Sequence, residues 1–104
     1  MRKKKAAKSA YHELGFPDAD EMLLKAQLVM KIAQILRERD WTQQRAAQVL
    51  GLTQPKLSRM LRGEFRGVSE IKMMECLVRL GRGVKIVVEP EGVKATGRVE
   101  VVAA

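Results

Sequence analysis

The chain has 104 residues, room for one domain and one modest core. Its 20 Lys and Arg against 12 Asp and Glu give a formal charge of +8 and a pI near 10.1, which suits a polyanionic partner (DNA, RNA or an anionic membrane). No apolar run approaches the ~20 residues that a membrane-crossing helix needs, and a single cysteine, Cys76, excludes an internal disulfide and fits a reducing compartment.

Residues 1–13 begin MRKKKAAKSA, a basic, acid-free run that reads as a flexible arm able to add phosphate contacts. No hydrophobic signal segment follows it, so a cytoplasmic location is expected. Tyr11, Leu14 and Phe16 then lead to Pro17, and Asp18 with Glu21 three residues on makes a variant capping box. The helix it opens, about 19–39, carries Leu24, Leu28, Ile32 and Ile35 as its main apolar stripe, widened by Met22, Val29 and Leu36. Lys25, Lys31 and Arg37 fall outside that stripe.

WTQQRAAQVLGLTQPKLSRMLRG, residues 41–63, is the most informative segment. Thr42 is a good N-cap for a short helix, Ala46, Ala47 and Leu50 face inward, and Gly51 ends it. Thr53 caps a second helix in which Pro55 is tolerated in the first turn and Leu57, Met60 and Leu61 point to the core. The small pair Ala46-Ala47 lets the two helices cross closely. Gln54, Lys56, Ser58 and Arg59 are left pointing outward, and amide and guanidinium groups are those best matched to adenine and guanine edges in the major groove. The pattern is a helix-turn-helix, spanning 42–62, with a face for reading DNA. Arg62 and Arg66 follow it as expected phosphate contacts, while Phe65 packs back on the core.

Ser69 caps a further helix, 70–80, with Ile71, Met74, Leu77 and Val78 expected inward. After LGRGV the character changes. VKIVVEP and RVEVV alternate β-branched residues at period two, with EPEGVKATG as a connecting loop. Residues 84–104 therefore read as a small β-strand or hairpin addition that packs on the helices or pairs with another chain, and so as a dimerisation element. The expected fold is all-α, about five helices over 14–83, with this C-terminal β addition.

Chemistry for an enzyme is hard to find. His12 has no histidine or cysteine at metal-ligand spacing, and no metal or cofactor is expected. Cys76 sits among Met73, Met74, Leu77 and Val78, the setting of a buried, inert thiol. Gly81 and Gly83 lack the pattern of a phosphate loop, and Asp18, Asp20 and Glu21 are accounted for by the start of a helix. An RNA-binding role is the weaker alternative, because Tyr11, Phe16, Trp41 and Phe65 are too scattered for a stacking platform.

Residues 41–63 resemble the helix-turn-helix of the phage repressor and Cro (XRE) superfamily. Across about 14–88 the LGF, TQ-AA-LG, TQPKLS and LG-V-I-V elements fall in the order found in short HigA-like antitoxins. The resemblance implies a lambda-repressor-like domain, a phosphate contact by Gln43, and Thr53, Gln54, Lys56, Ser58 and Arg59 at the groove of double-stranded operator DNA. Pro55 departs from the polar residue many repressors place there. It further implies a homodimeric repressor that binds a RelE/HigB-like toxin, with a free-standing regulator as the alternative. Glu13, Asp18, Asp20 and Glu21 form the one dense acidic patch to offer a basic toxin; the C-terminal strands are the other candidate surface.

Overall fold

The computed structural model describes residues 10–94 and 96–103. Most of the basic arm expected at the N-terminus, residues 1–9, lies outside the described residues. Helical segments occupy Ala10–Glu13 (α1), Ala19–Arg39 (α2), Gln43–Leu50 (α3), Gln54–Leu61 (α4) and Glu70–Arg79 (α5). α2 packs chiefly on α5, and α3 packs on α4. Ile32, Ile35, Leu50, Leu57, Met60, Met73 and Cys76 meet as fully buried side chains where these four helices converge.

The expected fold needs two corrections. α1 is a single turn of four residues, so four helices, not five, make the bundle. No strand forms among the described residues, and residues 82–94 and 96–103 carry no regular secondary structure. Alternating valines specify which side chains would share a face; they do not supply a ladder partner, and two short strands alone are marginal. Val101 instead packs against the helical core, beside a groove along α2 lined by Gln27, Met30, Lys31 and Gln34.

Helix boundaries follow local chemistry closely. The Thr42, Thr53 and Ser69 hydroxyls accept hydrogen bonds from the backbone N–H groups of Arg45 (3.1 Å), Lys56 (3.2 Å) and Lys72 (3.0 Å). Each satisfies one of the donors that a helix start leaves unpaired. α3 ends at Gly51, φ +70°, where Leu52 N–H reaches back to Ala47 O (3.0 Å) and Gly51 N–H to Gln48 O (3.3 Å), a Schellman close that needs a left-handed residue. A Cβ added at Gly51 would lie 2.9 Å from Arg79 Nη1. That guanidinium donates to Val49 O (3.3 Å) and Glu75 (3.4 Å), tying α5 to the end of α3. Gly51→Ala is therefore expected to cost about 1–2 kcal/mol for the left-handed backbone alone, and more as Arg79 is displaced. Urea unfolding of Gly51→Ala beside Gly63→Ala, which shares a left-handed backbone (φ +96°) but whose added Cβ meets nothing within 4 Å, checks this; equal losses would mean the Arg79 tie carries no stability.

Four side chains sit differently from their expected places. Lys25 is 4% exposed rather than outside the stripe, its ammonium held by Arg66 O (2.9 Å) and Glu21 (3.3 Å). Asp18 precedes α2 but makes no side-chain capping bond; its carboxylate is taken by the Arg66 guanidinium. α5 buries Met73, Cys76 and Leu77, with Leu80 behind them, while Ile71 and Val78 remain 71% and 56% exposed. Both faces of α5 are apolar enough to serve, and the one used is the one packed on α2; Arg39 of α2 also donates to Leu80 O (2.9 Å) at the end of α5.

Candidate nucleic-acid interface

α3 and α4 stand together because Ala46, Ala47 and Leu50 on one and Leu57 and Met60 on the other are buried in the shared core. At 3.6 residues per turn, the face of α4 opposite Leu57 and Met60 is formed by Pro55, Ser58, Arg59 and Arg62. Gln54 and Lys56 flank it in the first turn, and both are exposed. Pro55 has no side-chain donor, so hydrogen bonding on this face falls to Gln54, Ser58, Arg59 and Arg62.

These groups differ in what holds them. Arg59 and Lys56 have no ion pair or side-chain hydrogen bond among the described residues, so both present free donors to solvent. The Arg62 guanidinium donates to Ser58 Oγ (2.7 Å) and lies 4.0 Å from Glu64, which aligns it along the helix and occupies one acceptor site of Ser58. Thr53 Oγ1 is committed as acceptor to the cap, leaving its O–H to donate outward. Gln43 is exposed in the first turn of α3. Arg66 sits apart, its guanidinium bound to Asp18 and 5.6 Å over the Phe16 ring.

The electrostatics point one way. From Trp41 to Arg66 five cations (Arg45, Lys56, Arg59, Arg62, Arg66) accompany one carboxylate, Glu64. α2 and α5 carry acids in their first turns, Asp20 and Glu21 in one and Glu70 in the other; α3 and α4 carry none. The positive ends of the two motif helices are thus left uncompensated, the arrangement that favours a phosphate nearby.

Sequence reasoning passed over Arg45. Its guanidinium stacks 5.2 Å from the centre of the Trp41 ring, which also takes Arg39 at 5.3 Å. The available signal was an arginine three residues after the N-cap, where a capping box places Glu or Gln. The acidic cluster is largely consumed internally: Asp18 pairs with Arg66, Asp20 lies 2.7 Å from His12, and Glu21 meets Lys25. Cys76 is fully buried, and burial pushes its thiol above the usual range, as an inert thiol requires. Among the described residues no group of three or more His, Cys, Asp or Glu is placed to hold a metal, and no helix is long and apolar enough to cross a membrane.

Two short capped helices with a glycine turn between them, the second carrying exposed amide and guanidinium groups, define a helix-turn-helix module. The helix-turn-helix domain family model matches residues 10–89, and the chain belongs to that family. A solved chain described as a "Putative XRE Family Transcriptional Regulator" matches with a TM-score of 0.77 and 32% identity, over 85% of this chain and all of that one. The helix-turn-helix is of the XRE type. No curated protein matches the chain in sequence.

Proposed function

We propose that this protein is a sequence-specific DNA-binding transcriptional repressor acting as a homodimer, with α4 as the helix that enters the major groove. Family membership and the XRE-type structural neighbour support a DNA-binding transcriptional regulator. The observation that carries the reading is the outward face of α4, where Gln54, Ser58, Arg59 and Arg62 are held by a helix anchored through buried Leu57 and Met60. In this reading Gln54 and Arg59 read base edges, Thr53, Lys56 and Ser58 border the groove, and Gln43, Arg62 and Arg66 touch phosphates.

Selection of bound duplexes from a random pool tests it. A recovered sequence preferred about 1,000-fold or more over scrambled duplex is expected of a specific regulator; equal binding of both would leave only a sequence-independent basic protein. Within this reading, the role of antitoxin to a RelE/HigB-like toxin rests on the resemblance of residues 14–88. Co-expression with the adjacent gene decides between that role and a free-standing regulator. A co-purifying complex and rescue of growth are expected of an antitoxin; neither is expected of a regulator working alone.

A further inference from the structure

We propose that residues 84–90, VKIVVEP, pair with the same residues of a second copy of this chain, antiparallel about a two-fold axis through Val87. The proposal deepens the homodimeric part of the reading above by assigning the surface and the register.

Three observations converge on this segment. First, Ile86, Val87 and Val88 are 76%, 73% and 89% exposed, a continuous aliphatic run facing solvent. Val84, nearest the end of α5, is the least exposed of the four aliphatics at 39%. Second, the backbone there is unpaired. Beyond Arg82, whose N–H closes the end of α5 on Leu77 O (3.0 Å), no backbone hydrogen bond joins the segment to any described residue. Its N–H and C=O groups are met by water or by a partner.

Third, the order of charges selects a partner and a register. Opposed residues in an antiparallel pair share a face, so a two-fold axis normal to the ribbon passes through a residue. An axis at Lys85 would set that lysine against itself. At Ile86 it would set Lys85 against Val87 and Glu89 against Gly83; at Val88 it would set Lys85 against Glu91, but also Glu89 against Val87 twice and Pro90 against Ile86 inside the ladder. At Val87 every opposition is favourable: Lys85 faces Glu89 twice, Ile86 faces Val88 twice, Val87 faces itself, and Val84 faces Pro90 at each end. Opposite charges and β-branched pairs directly across a ladder are the stabilising combinations.

The same register puts Val84, Ile86 and Val88 of both copies on one face and the Lys85–Glu89 pairs on the other, so the ribbon is amphipathic. Pro90, lacking an N–H, closes the ladder at both ends and limits its growth into longer aggregates. The segment begins three residues after Gly81, whose φ of +87° turns the chain out of α5, so the ribbon is coupled closely to the helical domain.

Sedimentation equilibrium of the full chain tests this with charge reversals. The unaltered chain self-associates. Lys85→Glu or Glu89→Lys each turns two attractive oppositions into repulsive ones, and each is expected to raise the dissociation constant about ten-fold or more. The double reversal Lys85→Glu with Glu89→Lys restores association. So does an equimolar mixture of the two single variants, because both oppositions are attractive again only in the mixed dimer. A monomeric parent chain would overturn the proposal. So would single variants that associate like the parent, or a mixture no tighter than its components. Binding to a duplex carrying one half-site separates this from the DNA-binding reading, since neither residue lies in the motif. Loss of half-site binding by the unaltered chain counts against the DNA-binding reading alone.

Discussion

Leu57→Ala is expected to cost about 2–5 kcal/mol of folding stability, the range for emptying a fully buried leucine site. Leu57 is 0% exposed and lies in the same cluster as Leu50, Met60 and Ile32, joining α4 to α3 and α2. Collapse of the neighbours is limited, because α3 and α4 are each only eight residues long and each is pinned by its own cap. Domains of this size are stable by about 5–15 kcal/mol, so the loss removes a large share. A fall in melting temperature of roughly 10–30 °C follows. Leu57→Met, which keeps the volume, should cost less than about 1.5 kcal/mol. Ile71→Ala, at a side chain 71% exposed, should stay within about 0.5 kcal/mol. Urea and thermal unfolding followed by circular dichroism measure all three. A loss below ~1 kcal/mol for Leu57→Ala would mean that α4 is not held by this core, and its outward face would lose its rigid support.

The second large effect is on DNA. Arg59→Ala is expected to weaken binding to the selected duplex by about 1–3 kcal/mol, roughly five- to 150-fold, and to relax preference at one guanine. Gln54→Ala should do the same at one adenine. Both side chains are exposed on α4, and Arg59 has no competing partner among the described residues. Arg62→Ala should weaken selected and scrambled duplexes alike and flatten the dependence on salt by about one counterion. Arg62 is also braced by Ser58, so Ser58→Ala is expected to reproduce part of that loss. Titrating each variant against both duplexes at several salt concentrations separates the classes. Equal losses on both duplexes for Arg59→Ala and Gln54→Ala would remove them from base reading.

The motif was legible in the sequence because its determinants are local. Thr42, Thr53 and Ser69 cap the helices that follow them, Gly51 takes the left-handed turn, and Leu57 and Met60 fall on the core side by spacing alone. Each depends on residues within one or two turns, and the exposure of Gln54, Lys56 and Arg59 follows from the same spacing. The net charge is likewise additive over the chain and independent of its fold.

Where a side chain had two local options, only the tertiary structure decided. Asp18 was placed to cap α2, yet Arg66, 48 positions later, takes its carboxylate. Lys25 was expected outside the apolar stripe, but Arg66 O, from a loop 41 residues away, gives its ammonium a buried acceptor. α5 had two apolar stripes, and its contacts with α2 chose Met73, Cys76 and Leu77 over Ile71 and Val78. The C-terminal valines announced a strand pattern without a partner, and none forms among the described residues. Caps and turns are settled over a few residues of chain, so the sequence determined the helices and the outward face of α4. Ion-pair partners, buried polar groups and strand ladders depend on segments far apart in sequence, which only folding brings together.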